Sequence, residues 1–111
     1  MHTLDHPSPN QIRIDDVLSA LADPMRRRIV AQLAEGHHDQ ACIAFELPIS
    51  KSTSTDHFRV LREAGVIEQR YQGSAILNRL RCGTLDHSFP GLLNAIVRAE
   101  RKASTASTSL T

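Results

Sequence analysis

Tryptophan is absent from this 111-residue chain, and aromatic residues make up only 4% of it. A core must therefore rest on Leu, Ile, Val and Ala, as in small helical proteins. The two cysteines, Cys42 and Cys82, are too few for a disulfide framework and suit a reducing compartment. No apolar run approaches the roughly 20 residues of a membrane span, and Met1–Asn10 has no hydrophobic signal region. The expected setting is the cytoplasm, with no membrane contact. Enzyme motifs are missing too: there is no Gly-x-Ser-x-Gly elbow, phosphate-binding glycine loop or His-Glu-x-x-His, and the serine-rich stretch 50–55 has no base beside it. Neither catalysis nor a cofactor is expected. Nor is there a large basic excess: 13 Lys and Arg stand against 12 Asp and Glu, so bulk charge does not by itself point to nucleic acid.

What is present is enough apolar residue, 41%, for one compact domain. Charge is unevenly spread. Between Ser50 and Cys82 the basic residues Lys51, Arg59, Arg62, Arg70, Arg79 and Arg81 outnumber Asp56, Glu63 and Glu68, whereas the first 25 residues set Arg13 against Asp5, Asp15, Asp16 and Asp23. Such a basic stretch could meet phosphate. The ends are polar, so residues 1–11 are expected to form a flexible arm and 102–111 a flexible tail, with the folded unit over 12–101.

Periodicity then divides the unit. Ile14, Val17, Leu18 and Leu21 share a helical face, with Asp15 and Asp16 in the favourable first turn. Asp23-Pro24 is an N-cap and first-position pair for a second helix, in which Met25, Ile29 and Leu33 recur every four residues before Gly36. A short third helix is expected within Gln40–Leu47, ended by Pro48. Ser50 caps a fourth, with core stripe Ser54, Phe58, Leu61 and Gly65 and with Ala64 beside it. Two helices joined by so short a turn suggest a helix-turn-helix. After Gly65 the period becomes two: Ile67, Gln69 and Tyr71, then Ile76, Asn78 and Leu80, flank the turn residues Gln72, Gly73 and Ser74. That is a hairpin in the position of a wing. A last helix is expected from near Pro90, with Leu92, Leu93, Ile96 and Val97 on one side. The fold class is thus mainly α with a small β-hairpin, a winged helix-turn-helix.

The segment Ser50–Arg81 resembles the recognition helix and wing of the ArsR family of winged helix-turn-helix repressors. The resemblance rests on the Ser-x-Ser-Thr opening, the run from Val60 to Ile67 and the glycine-centred wing turn, with Leu21 to Ile29 resembling the stretch ahead of the family's second helix. It implies a homodimer whose first and last helices pair, recognition helices 50–64 in successive major grooves of double-stranded DNA, and wings 67–81 on the flanking backbone. Many such proteins release DNA on binding a metal or oxidant. Here the third-helix Cys-x-Cys is reduced to Cys42, and the last helix lacks spaced Asp, His and Glu ligands, offering only Asp86-His87 before its start. No metal site is expected.

On the outward face and N-terminal end of the fourth helix, Lys51, Ser52, Thr53, Thr55, Asp56 and Arg59 are the candidate DNA readers, with Arg70, Gln72, Ser74 and Arg79 on the wing. Any amphipathic helix also has a polar side, and hairpin arginines also serve solubility. His57, beside Phe58, is expected to pack rather than to read bases. Ile14, Leu18, Leu92, Leu93, Ile96 and Val97 are the candidate dimer face. Cys42 and Cys82, expected to be buried, leave open a redox- or metal-responsive repressor, with His37, His38 and His87 as further ligand types. The remaining alternative is a winged helix that docks protein rather than DNA.

Overall fold

The computed structural model describes residues 4–35, 40–41 and 49–109. Its elements are α1 (Ile14–Ala20), α2 (Pro24–Ala34), β1 (Gln40–Ala41), α3 (Lys51–Ala64), β2 (Ile67–Gln72), β3 (Ala75–Leu80), α4 (Cys82–Ser88) and α5 (Leu92–Ser109), after a 3-10 turn at Pro9–Gln11.

Local chemistry sets most boundaries. The Asp23 carboxylate accepts from the amides of Met25 at 2.8 Å and Arg26 at 3.2 Å, with Pro24 at the first helical position, so α2 starts where the sequence requires. Ser50 does the same for α3, its Oγ accepting from Thr53 N at 3.2 Å. At the other end of α3, Gly65 has φ 89°, its amide and that of Val66 bond back to Arg62 O and Leu61 O, and Leu61 and Val66 are both buried. This Schellman closure turns the chain directly into β2. A Cβ on Gly65 would also lie 2.5 Å from Ile12, so glycine is required for space as well as for φ.

The strands β2 and β3 are antiparallel, joined through Gly73 and Ser74, with Gly73 at φ 62° as primed hairpin turns require. Gln72, expected in the turn, is instead paired with Ala75. The core gathers Val17, Ile29, Leu33, Phe58, Leu61, Val66, Ile67, Leu80 and Leu85, one cluster fed by helices and hairpin alike.

Several expectations are corrected. Gln40 and Ala41 are not helical: they pair with Asn78 and Leu77, supplying a partner for the second edge of β3. The rest of the expected third helix, Cys42 to Pro48, lies outside the described residues, as do Gly36, His37 and His38. Helix α4 was not foreseen, since it has Gly83 inside it, no side-chain cap and one buried residue, Leu85. The last helix begins at Leu92, after Gly91 at φ 81°, and runs to Ser109, past the boundary expected at 101. Extending a helix already nucleated by packing is cheap. Residues 6–11 do not dangle: Gln69 N donates to His6 Nε2 at 2.9 Å, Arg81 donates to Pro7 O at 2.8 Å, and Ser8 N donates to Gln11 Oε1 at 2.9 Å. The arm lies along the outer edge of β2, where free backbone groups seek partners.

Candidate nucleic-acid interface

Helix α3 turns Phe58, Leu61 and Ala64 into the core and leaves Lys51, Ser52, Thr53, Thr55, Asp56 and Arg59 exposed. All six candidate readers on the helix therefore share the outward surface of α3 and its first turns. Five of the six side chains are also prearranged. Thr55 Oγ1 donates to Lys51 O at 3.0 Å, Ser50 Oγ donates to Thr53 Oγ1 at 2.8 Å and lies 3.3 Å from Ser52 Oγ, and Asp56 pairs with Arg59 at 3.2 Å. The Asp56–Arg59 pair is solvent-exposed and one turn apart, so it contributes little to stability and can open toward a ligand.

On the hairpin, the register places Glu68 opposite Arg79, Arg70 opposite Leu77 and Gln72 opposite Ala75, so Arg70, Gln72 and Arg79 share one face. All three are exposed, as is Ser74 at the turn. The opposite face carries Ile67, Gln69 and Leu80 inward, and there Gln69 and Asn78 form a buried polar pair, Gln69 Nε2 donating to Asn78 Oδ1 at 2.8 Å. Tyr71 follows the same alternation but is exposed, because the core ends at Gln69.

The basic stretch presents less charge than the count suggests. Arg62 is half-buried and donates to Gln69 Oε1 at 2.8 Å, its Nε without a partner among the described residues, and half-buried Arg81 holds the N-terminal arm. Lys51, Arg59, Arg70 and Arg79 are the ones left at the surface.

His57 packs as expected: half-buried, its Nδ1 lies 3.1 Å from Arg26 Nη1. Arg26 was not singled out by sequence, although the Asp-Pro cap fixes it at the third helical position. Burial pushes the Asp23 carboxyl up, but the amides of Arg26 and Met25, with smaller help from the nearby Arg26 cation, outweigh it and hold its pKa below the usual value.

Val97, expected on the dimer face, is only 6% exposed and belongs to the protomer's own core. Leu92, Leu93 and Ile96 are half-buried, while Ile14 and Leu18 are exposed at 39% and 47%. Cys82 is exposed at the start of α4, contrary to the expected burial, and Cys42 lies outside the described residues. Among the described residues no three His, Cys, Asp or Glu side chains form a metal-binding group, and no helix is long and apolar enough to cross a membrane.

The profile of the family described as "Bacterial regulatory protein, arsR family" matches residues 23–69, from the α2 cap into the wing. The chain is 31% identical over 87 residues to the Transcriptional repressor SdpR of Bacillus subtilis, covering 78% of this chain and 97% of that protein. It is 30% identical over 103 residues to the HTH-type transcriptional repressor SmtB of Mycobacterium tuberculosis, covering 91% and 74%. Among solved structures, an ArsR-like transcriptional regulator from Rhodococcus sp. RHA1 superposes with a TM-score of 0.58 at 25% identity, over 85% of this chain and 89% of that one.

Proposed function

Since the chain belongs to the ArsR family of bacterial regulatory proteins and is a DNA-binding transcriptional regulator, we propose that it acts as a homodimeric cytoplasmic repressor, with α3 reading operator bases and the β2–β3 hairpin reaching the flanking backbone. The observation that carries this reading is the exposed polar face of α3, with its hydroxyls, Lys51 and the Asp56–Arg59 pair held in place and an exposed hairpin turn following directly. A helix of this kind fits the major groove, where a carboxylate accepts from cytosine N4 and an arginine grips guanine. The dimer reading is supported by exposed Ile14 and Leu18 on α1 and by the half-buried Leu92, Leu93 and Ile96 of α5, the apolar side chains available to a second copy. Pairing would set two recognition helices about 34 Å apart, one turn of DNA. The relatives named as repressors favour DNA over a docked protein as the occupant of α3.

The test begins with a duplex enriched by the protein from a random-sequence pool, titrated beside a scrambled duplex at several salt concentrations. Asp56→Asn is expected to raise affinity for scrambled DNA, by removing a charge that phosphate repels, while narrowing the preference for the enriched duplex by about 1–3 kcal/mol. Arg59→Ala is expected to weaken binding and, if the guanidinium neutralises a phosphate, to lower the slope against log salt by about one. Parental curves for both variants would mean that this face of α3 does not enter the groove.

A further inference from the structure

The reading face of α3 is useful only if its angle to the rest of the molecule is fixed, and packing of apolar side chains alone leaves a helix some freedom to rotate and slide. A directional contact reaches α3 at its midpoint. Arg26, half-buried on α2, donates from Nε to Ala20 O, places Nη2 3.5 Å from Ser19 O, and puts Nη1 3.1 Å from His57 Nδ1. A guanidinium has no acceptor, so His57 Nδ1 accepts and the ring keeps its proton on Nε2. One planar cation thus joins the C-terminal carbonyls of α1, where positive charge is favourable, to the recognition helix. Its neighbour Arg27 makes the complementary link, donating to Leu21 O at 2.9 Å and pairing with Glu100 of α5 at 3.0 Å. The helices that carry the apolar dimer face and the helix that carries the DNA face therefore meet at one pair of adjacent arginines.

We propose that Arg26 is a positioning residue for operator recognition, one that touches no base but sets the orientation of α3 through His57. This rests on the reading of α3 as the recognition helix. Because the effect is on geometry, it should be felt by specific binding, which needs base edges in register, and not by non-specific binding, which needs only charge. A merely structural arginine would lower thermal stability without separating the two. A phosphate-contacting arginine would weaken both.

The experiment measures binding of the enriched and scrambled duplexes, with thermal unfolding of each variant alongside. Arg26→Met is expected to weaken binding to the enriched duplex about tenfold, the worth of the one charge-assisted hydrogen bond that reaches α3, while leaving scrambled-DNA affinity and the salt slope at parental values. His57→Leu should do the same, and the double variant should be no worse than the stronger single, because both remove the same Arg26–His57 contact to α3. His57→Asn, which offers an amide oxygen in place of Nδ1, should bind like the parent. Equal loss on both duplexes with a shallower salt slope for Arg26→Met would show a phosphate contact and overturn the proposal, as would additive losses in the double variant. Parental binding by Arg26→Met and His57→Leu while Arg59→Ala is weakened would end the positioning role and keep α3 as reader. Parental binding by all three would remove the reading of α3 itself. Should Arg26→Met not fold, equal binding by His57→Leu and His57→Asn overturns the proposal.

Discussion

At the scale of single residues, caps and turns govern where this chain changes direction. Asp23 accepts two amides at the start of α2, and Asp23→Ala is expected to cost about 1 kcal/mol, a fall of roughly 4–8 °C in the unfolding midpoint of a domain this size. Its pKa is lowered in the fold, so its contribution is complete above the ordinary carboxylate range and disappears as pH falls through the folded value. Midpoints measured between neutral and acidic pH should accordingly converge for the parent and Asp23→Asn at the acid end; a constant gap would count against the cap as the source. Gly65 is constrained twice, by φ 89° and by Ile12. Gly65→Ala should therefore destabilise by more than the roughly 1 kcal/mol of left-handed strain alone, and the excess should shrink in an Ile12→Ala background. An unchanged excess in denaturant titration would mean Ile12 can already move aside. The Asp23 cap and the Gly65 stop were legible in the sequence because each acts on its own neighbours, whereas the Ile12 contact was not. Arg26 and Arg62 were not, because their partners lie 31 and 7 positions away across a tertiary contact.

At the scale of elements, the wing is joined to α3 by polar contacts. Arg62 on α3 donates to Gln69 on β2, which donates to Asn78 on β3, and Gln69 and Asn78 also face each other in register, 4% and 0% exposed. A slip of one residue would put apolar side chains outside and leave this network unpaired, so it defends the register. Gln69→Leu is expected to cost about 1–3 kcal/mol, since it takes one hydrogen-bond partner from the half-buried Arg62 guanidinium and one from the buried Asn78 amide, whereas the triple variant Arg62→Met, Gln69→Leu, Asn78→Leu should recover much of that loss. Equilibrium denaturation of both decides; a triple variant weaker than the single would mean the network is net stabilising. Strong periodicity made α1, α2, α3 and the hairpin readable. The weakly patterned α4 and the pairing of Gln40–Ala41 with β3 were not, because one buried leucine and one two-residue ladder are set by what surrounds them.

At the scale of the whole molecule, the proposed dimer would require the apolar face on α1 and the polar face on α3 to work together, since on that reading two half-sites are held by two joined protomers. Leu18→Glu should leave the protomer folded, because Leu18 is 47% exposed, yet give a monomer in sedimentation whose midpoint no longer depends on protein concentration, and weaken the enriched duplex far more than the scrambled one. A dimer that persists would place the interface elsewhere. The charged stretch read from the sequence overstated the exposed basic surface at this scale, for burial could not be counted there: Arg62 and Arg81 serve the wing and the arm. The arm itself carries a last consequence. By accepting from Gln69 N, His6 closes a strand edge that would otherwise be a template for another chain's strand. While the arm is seated, deuterium should enter the Gln69 amide slowly; with residues 1–8 deleted it should enter fast, and the concentrated protein should slowly assemble edge to edge into aggregates that the parent does not form.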